Sequence, residues 1–294
     1  AVTGLERDTA GPGLLLVGHD AFPAGAQLLL LHLARRLRAA YGARLEVLLL
    51  GDGALRPEFA AVAPTPLVST AESLRNAVAS AAARGFRAAL VNSAAAAGSI
   101  AALHQAGIAS TLLVHELPRL LREKGLAGDA RAGAMLARQM VFPAAAVRAG
   151  FASIAPVPEG RTVLAPQGVY RPIAFSARRR AALRAKLGLA EGAGRVLGVG
   201  HGDLRKGFDL FLQAWRAAIR RDRTVVFCWL GALDPAMRSY LAPEIDAVRA
   251  TGRFLLPGHQ KEVADWFCAA DILALPSRED PFPSVVLEAL SAGL

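Results

Sequence analysis

Near the end of the 294-residue chain two acids, Asp280 and Glu288, stand with seven residues between them. The text around them reads Asp271-Ile-Leu-Ala-Leu-Pro-Ser277, then Arg278-Glu279-Asp280-Pro281-Phe282-Pro283, then a run with Leu287, Leu290 and Leu294 at helical spacing. The first segment has the composition of a strand buried on both faces, the second is a loop, and Ser284 reads as the N-cap of a helix. Both acids then lie at the carboxyl end of a strand, the edge at which parallel α/β sheets bind ligands. Carboxylates placed there accept from sugar or ribose hydroxyls, and the opening amides of the helix, at Ser284 and Val285, suit a phosphate. The bland alternative is a turn Asp and a helix-face Glu, and the spacing alone does not decide between them.

Three further places hold groups of this kind. Gly198-Val-Gly200-His201-Gly202-Asp-Leu-Arg205-Lys206-Gly207 puts three basic side chains in a glycine-rich turn. Its spacing is not G-x-G-x-x-G, which disfavours a dinucleotide fingerprint. Gly25, in the loop His19–Gln27, precedes a long apolar helix and lets a ligand approach the backbone; a plain helix start is the competing reading. His115 follows the strand-like Thr111–Val114, where a lone His serves either packing or a ligand.

The elements that must position these groups follow a βα rhythm. Strands are expected at Leu14–Gly18, Leu45–Leu50, a stretch ending near Val68, Ala88–Asn92, Thr111–Val114 and Thr162–Ala165. Helices are expected at 26–40, 71–83, 96–105, 119–125 and 130–138. Pro166-Gln-Gly-Val-Tyr-Arg-Pro172 breaks the pattern with turn residues, and the domain boundary belongs there. A helix at 178–187 leads into strands at 195–200, 224–230, 254–257 and 272–275, with helices at 207–220, 235–249 and 262–270 between them. In the first of these, Phe208, Phe211, Trp215 and Ile219 share one face. Alternation at these lengths is the repeat of a parallel sheet covered on both faces.

Composition narrows the setting. Hydrophobic residues make up 53% of the chain and the mean hydropathy is +0.34, ample for packed cores. No apolar run approaches the ~18 residues of a membrane span. The opening AVTGLERDTAGPG has no basic region ahead of an apolar stretch, so it is not read as a secretory signal, and the missing initiator Met suggests trimming. Cys228 and Cys268 are expected as buried thiols. The net charge of +10 is carried mostly by arginine and favours anionic partners: nucleotide diphosphates or an anionic membrane surface. Without interleaved aromatics it argues against nucleic acid. A genome-wide composition bias accounts for it equally well.

The segment PSREDPFPSVVLEALSAG, Pro276–Gly293, resembles the acid-x7-acid signature of retaining glycosyltransferases of glycosyltransferase family 4, which have the GT-B fold. Asp280 stands where that family has Glu, Pro281-Phe282-Pro283 replaces a glycine-rich link, and Glu279 competes for the first acid's role. Gly198–Gly207 is similar to the family's G-R-x-x-x-x-K-G: Lys206 matches the Lys, His201 replaces the Arg, and Arg205 is a substitute cation. His19–Gln27 resembles the G-G-A-E loop, with Ala24 for one glycine and Gln27 for the acid. Leu-Val-His115-Glu resembles the T-x-H-D motif, and Gln167-Gly168-Val169 falls where relatives have an Asn-Gly-Val hinge.

The resemblance implies an α/β protein with two Rossmann-like domains facing a cleft. Residues 1–170 would be the acceptor side and residues 171–294 the nucleotide-sugar-binding domain, incomplete because relatives continue past this point. It implies transfer of a sugar from a nucleotide-sugar donor to a hydroxyl of a glycan or lipid-linked acceptor, with retention, in polysaccharide or cell-envelope synthesis. Lys206, with His201 or Arg205, would neutralise the departing diphosphate. Glu288 would hold ribose, Asp280 would face the transferred sugar, and His115 would lie over it. The donor is a substrate rather than a cofactor, and no metal is expected. The expected location is cytoplasmic, with the protein peripheral at the inner face of the membrane, and activity of this chain alone is expected to be low. Two rivals remain: a catalytically silent nucleotide-binding module, and a sugar-nucleotide epimerase of the same fold.

Overall fold

The structure is a computed structural model that describes residues 13–190, 192–260 and 262–294. The opening segment discussed above, and Lys261, lie outside the described residues. Its contacts divide the chain into two compact units, between Gln167 and Gly168.

The first unit is built on six strands: β1 (Gly13–Gly18), β2 (Arg44–Leu49), β3 (Ala88–Asn92), β4 (Ala109–Leu113), β5 (Gln139–Phe142) and β6 (Thr162–Leu164). They form one parallel sheet in the order β2-β1-β3-β4-β5-β6. Alternate residues of the apolar strands serve opposite cores. Leu15, Val17 and Val91 pack with Val78, Ile100 and Leu103 on one face. Leu16, Val47 and Leu49 pack with Leu30, Leu31 and Ala34 of the helix Gly25–Tyr41 on the other. Each of these buried aliphatics contributes about 1.5–3 kcal/mol of transfer free energy, which is why a continuous apolar run becomes a central strand.

Two departures from expectation have local causes. The strand near Val68 is only a bridge, Leu49 to Leu67, because Pro64 and Pro66 lack the amide protons a ladder needs. Strand β5 was not anticipated: four residues that follow a helix directly give no periodicity of their own.

The second unit has β7 (Arg195–Val199), β8 (Val226–Leu230), β9 (Phe254–Gly258) and β10 (Ile272–Leu273), parallel, in the order β10-β7-β8-β9. The helix Phe208–Ile219 buries Phe208, Phe211 and Trp215, as its spacing requires. The first two meet Trp229 of β8 edge-on, with ring centroids 5.4 and 5.1 Å away. The single helix expected at 235–249 is two, Pro235–Tyr240 and Ala242–Arg249; a continuous helix would clash with the Pro243 ring.

The strand expected to be buried on both faces is corrected. β10 pairs over two residues only and lies at the sheet edge, with Ile272 58% exposed and Leu275 41% exposed. Its one flanking partner is β7, so apolar composition here does not translate into double-sided burial.

Candidate functional site

In both units the chemistry-bearing groups collect beyond the carboxyl ends of the strands, β1, β3 and β4 in the first and β7 and the edge strand β10 in the second. A cavity at the opposite edge of the first sheet, lined by Gly13, Arg87, Thr111 and Arg138, lies away from all of them.

In the second unit, β7 ends at Val199 and runs into the turn Gly200–Gly207. Gly200 and Gly231 meet so closely that a Cβ on Gly231 would sit 2.0 Å from the Gly200 carbonyl oxygen. That carbonyl accepts from Trp229 Nε1 at 3.0 Å, which ties the turn to β8. Asp203 Oδ1 then accepts from the Lys206 amide at 2.7 Å, and Gly207 ends the turn at φ 72°, where a Cβ would lie 2.1 Å from the Pro276 carbonyl oxygen. Only glycine permits that approach, and it brings the turn against the loop after β10.

Across this contact Lys206 Nζ donates to Asp280 Oδ2 at 2.5 Å, with the two side chains 16% and 10% exposed. Ser277 Oγ donates to the same oxygen at 3.3 Å. The loops are clamped at a second point. Arg278 donates in bidentate fashion to Asp209, 2.7 Å in each arm, and to the Leu204 carbonyl at 2.8 Å. The sequence thus named a cation and an acid that the fold pairs directly.

Its other candidates are placed as follows. Arg205 is engaged as a strut, donating to the Glu279 carbonyl at 3.1 Å, while its own carbonyl accepts from the Arg278 amide at 2.9 Å. His201 is exposed at the mouth of the turn. Ser284 is not the N-cap of its helix: Pro283 holds that position in extended conformation, and Ser284 and Val285 begin the helix Ser284–Ser291. The Ser284 hydroxyl is hydrogen-bonded to Tyr170 instead. Pro283 has the fixed φ that suits the turn into the helix, which leaves the serine free for that role.

Glu288 is 4% exposed. Arg171 Nε donates to its Oε1 at 2.9 Å and Nη2 of the same guanidinium forms an ion pair with that oxygen at 2.8 Å, while among the described residues its buried Oε2 has no hydrogen-bond partner. Burial pushes the Glu288 carboxyl above the ordinary range, and Arg171 opposes that shift. Sequence reasoning missed Arg171, which is 117 residues away. The one available signal was that it lies in the segment assigned to the domain boundary.

In the first unit, parallel register sets Gly18, Asn92 and Leu113 side by side across β1, β3 and β4. Asn92 is fully buried and donates to the Ala26 carbonyl at 2.9 Å, so its Oδ1 is an acceptor. His115 Nε2 lies 3.0 Å from that oxygen and must carry the ring proton there. Burial lowers the His115 pKa, Glu116 opposes the shift and His19 adds to it. Glu116 caps the next turn: it accepts from Ser93 Oγ, the Ala94 amide at 3.0 Å and the His115 amide at 3.1 Å. Ser93 has φ 83°, the one positive value for a non-glycine residue among the described residues, and the bond to Glu116 holds it there.

Gly25 begins the neighbouring helix with nothing within 4 Å of a Cβ placed on it, so space is open over the backbone. Gln27 Nε2 donates to Asp20 Oδ1 at 2.5 Å and to His19 Nε2 at 2.9 Å. His19 Nδ1 is then a buried donor without a partner. Asn92, Ser93 and Glu116 carry the geometry around His115. The residue text marked only their neighbours, because polar groups at strand ends have no periodicity. Among the described residues no cluster of His, Cys, Asp and Glu has the makings of a metal site, and no helix is long and apolar enough to cross a membrane.

Comparison with known proteins places this geometry in context. Residues 193–294, which contain Lys206, Asp280 and Glu288, match the family described as Glycosyl transferases group 1. The chain is 34% identical over 146 residues to D-inositol 3-phosphate glycosyltransferase of Thermobispora bispora, 46% of this chain and 33% of that protein. It is 30% identical over 200 residues to the protein of the same name from Kineococcus radiotolerans, 60% of this chain and 46% of that one. Against these relatives the chain therefore spans less than half their length.

Among solved structures, Anabaena Alr3699/HepE in complex with UDP-glucose superposes with a TM-score of 0.80 at 19% identity, covering 96% of this chain and 78% of the other. WaaG, a glycosyltransferase involved in lipopolysaccharide biosynthesis, gives a TM-score of 0.68 at 16% identity, covering 96% and 79%. This likeness shows the fold: two parallel α/β units of the GT-B kind.

Proposed function

We propose that this chain is a glycosyltransferase that moves a sugar from a nucleotide-sugar donor to an acceptor hydroxyl with retention of configuration, without a metal. The observation that carries the reading is the Lys206–Asp280 pair at the carboxyl edge of the second sheet. It lies within the stretch matched to the glycosyltransferase family. A similar fold solved with UDP-glucose supports a nucleotide sugar as the donor.

In this reading the bond from the sugar C1 to the leaving phosphate oxygen breaks, and a bond from C1 to the acceptor oxygen forms on the same face. The acceptor proton passes to the departing phosphate. Lys206 neutralises the charge gained by the diphosphate. At ~4 Å and an effective dielectric of about 20 one such contact is of order 4 kcal/mol before desolvation. Asp280 holds Lys206 in place and accepts from a sugar hydroxyl; Glu288 accepts from ribose. In the second unit His201 is the candidate for a second cation and Ser284 and Val285 would offer backbone amides to the donor; in the first unit Gly25 and His115 are the candidates for ligand contact. The second unit would bind the donor and the first the acceptor, a glycan or lipid-linked molecule at an anionic membrane surface inside the cell.

A thermal-shift screen against sugar nucleotides, followed by product analysis, tests this. A nucleoside diphosphate and its sugar conjugate should raise the melting temperature, a new glycoside should form, and Lys206→Ala should abolish both effects. An epimerised donor, or binding without turnover, would favour the two rivals. Full turnover in Lys206→Ala would remove the basis of the assignment.

A further inference from the structure

The segment that opens the second unit is laid along the helix Ser284–Ser291. Tyr170 is bonded to Ser284, Arg171 pairs with Glu288, and the Ile173 amide donates to Ser291 Oγ at 2.8 Å. Positions 284, 288 and 291 are one helical face, so the segment runs as a strap over the side of the helix that carries the acid. Arg171 engages a single oxygen of Glu288, with one hydrogen bond from Nε and an ion-pair contact from Nη2. Oε2 keeps its acceptor capacity unused although it is buried, and an unused acceptor in such a place costs about 1–3 kcal/mol. Such an orphaned acceptor calls for a partner, which a bound ligand would supply. The cation itself is 42% exposed at the surface over a nearly inaccessible carboxylate.

We propose that Arg171 is a positioning residue for nucleotide binding: it fixes and charges Glu288 through Oε1, leaving Oε2 as the acceptor for a hydroxyl of a nucleoside diphosphate. This rests on the proposed role of Glu288 in donor binding. Without Arg171 the buried acid has no cation to oppose its tendency to take up a proton. Among the described residues the titratable groups acting on Glu288 are Arg171 and Tyr170, and Tyr170 is itself held by burial in its neutral form. Among the described residues Arg171 is the cation that opposes the effect of burial on this acid.

The experiment measures UDP affinity by calorimetry from about pH 5.5 to 9 in the wild type, Arg171→Met, Arg171→Lys and Glu288→Gln. Arg171→Met is expected to weaken binding ~10-fold at neutral pH and to move the acid limb of the profile up by about one unit, with affinity returning at high pH. Arg171→Lys should restore most of the affinity. Loss of the same size at every pH would mean a structural role, and tighter binding would mean that Arg171 competes with the ligand; either overturns the proposal. If Glu288→Gln binds UDP like the wild type, the donor-binding reading fails and the nucleotide role of Arg171 falls with it; weak binding in Glu288→Gln with normal binding in Arg171→Met overturns this proposal alone. A ligand-free arm decides the case even if UDP does not bind. Difference infrared spectroscopy at neutral pH should show a protonated carboxyl in Arg171→Met that is absent from the wild type and from the Arg171→Met, Glu288→Gln double variant. Identical spectra for wild type and Arg171→Met would refute the inference.

Discussion

Lys206 and Asp280, 74 residues apart in the chain, share a 2.5 Å hydrogen bond across two loops that glycine alone lets meet. The pair is mostly shielded from water, so each member is the other's main compensation for lost hydration. Removing either one leaves the other buried and under-satisfied. Lys206→Met and Asp280→Asn should each cost about 1–3 kcal/mol of stability, and the double variant less than their sum. Chemical denaturation of the four proteins measures the coupling; strictly additive losses would show that the pair does not act as a unit.

The two acids should differ in what they do for a ligand. Glu288→Gln is expected chiefly to weaken binding of the bare nucleoside diphosphate. Asp280→Asn should leave that binding largely intact and lower turnover, because in the proposed reading Asp280 meets the transferred sugar. Calorimetry with the diphosphate alone checks the order, and a reversal would mean the roles are exchanged.

Glu288 also predicts a pH trend in the ligand-free protein. Its folded-state pKa is raised by burial, with Arg171 opposing. A raised carboxyl contributes stability below its unfolded-state pKa, and that contribution is lost as pH rises through the folded-state value. Glu288→Gln has no such loss. Its melting temperature relative to wild type should therefore climb as pH rises above the ordinary glutamate value. A difference that stays flat with pH would show that the acid does not titrate in this way.

His115 has the opposite sign. Burial lowers its pKa, so the stability of the neutral ring is present above the unfolded-state value and lost as pH falls. Wild type should lose stability relative to His115→Gln as pH falls below the ordinary histidine value, since the amide still donates to Asn92 without taking up a proton. Turnover should fall in the variant at all pH values. Because Asn92 Oδ1 has His115 as its donor, His115→Ala is expected to cost about 1–3 kcal/mol as well, which separates packing from chemistry less cleanly than the glutamine variant.

What the sequence displayed and what it concealed follow the range of the interactions. The strand-turn-helix around Lys206 and the loop-helix around Glu288 were legible because local apolar spacing and turn residues mark them. The face of the helix Phe208–Ile219 was legible for the same reason. The Arg171–Glu288 contact was not, since nothing local to Tyr170-Arg171 says which helix it will cover. Strand β10 illustrates the other failure: its composition reports apolarity, whereas its exposure depends on how many strands flank it. Asn92 and Glu116 were hidden because a polar residue at a strand end reads as a loop residue until register places it beside His115.

The last prediction concerns Arg195, which opens β7 and is 2% exposed. All three of its guanidinium nitrogens are buried, and among the described residues none has a hydrogen-bond partner. Its main-chain amide donates to Asp271 Oδ2 at 2.8 Å, but that acid's ion pairs are with Arg180 and Arg184. Burial pushes the Arg195 pKa down to about 10, helped by Arg184, so the side chain still carries its charge at neutral pH. A depressed cation returns stability only at high pH, and at pH 7 its full desolvation cost stands. An unbranched apolar side chain of similar length fills the same space without that cost. Arg195→Met should therefore stabilise the second unit by about 1–4 kcal/mol at neutral pH, by analogy with buried charges replaced by apolar groups. The gain should shrink as pH rises above about 10. Calorimetric melting of both proteins across that range decides it. A variant less stable than wild type at pH 7 would mean that Arg195 is compensated in the folded protein.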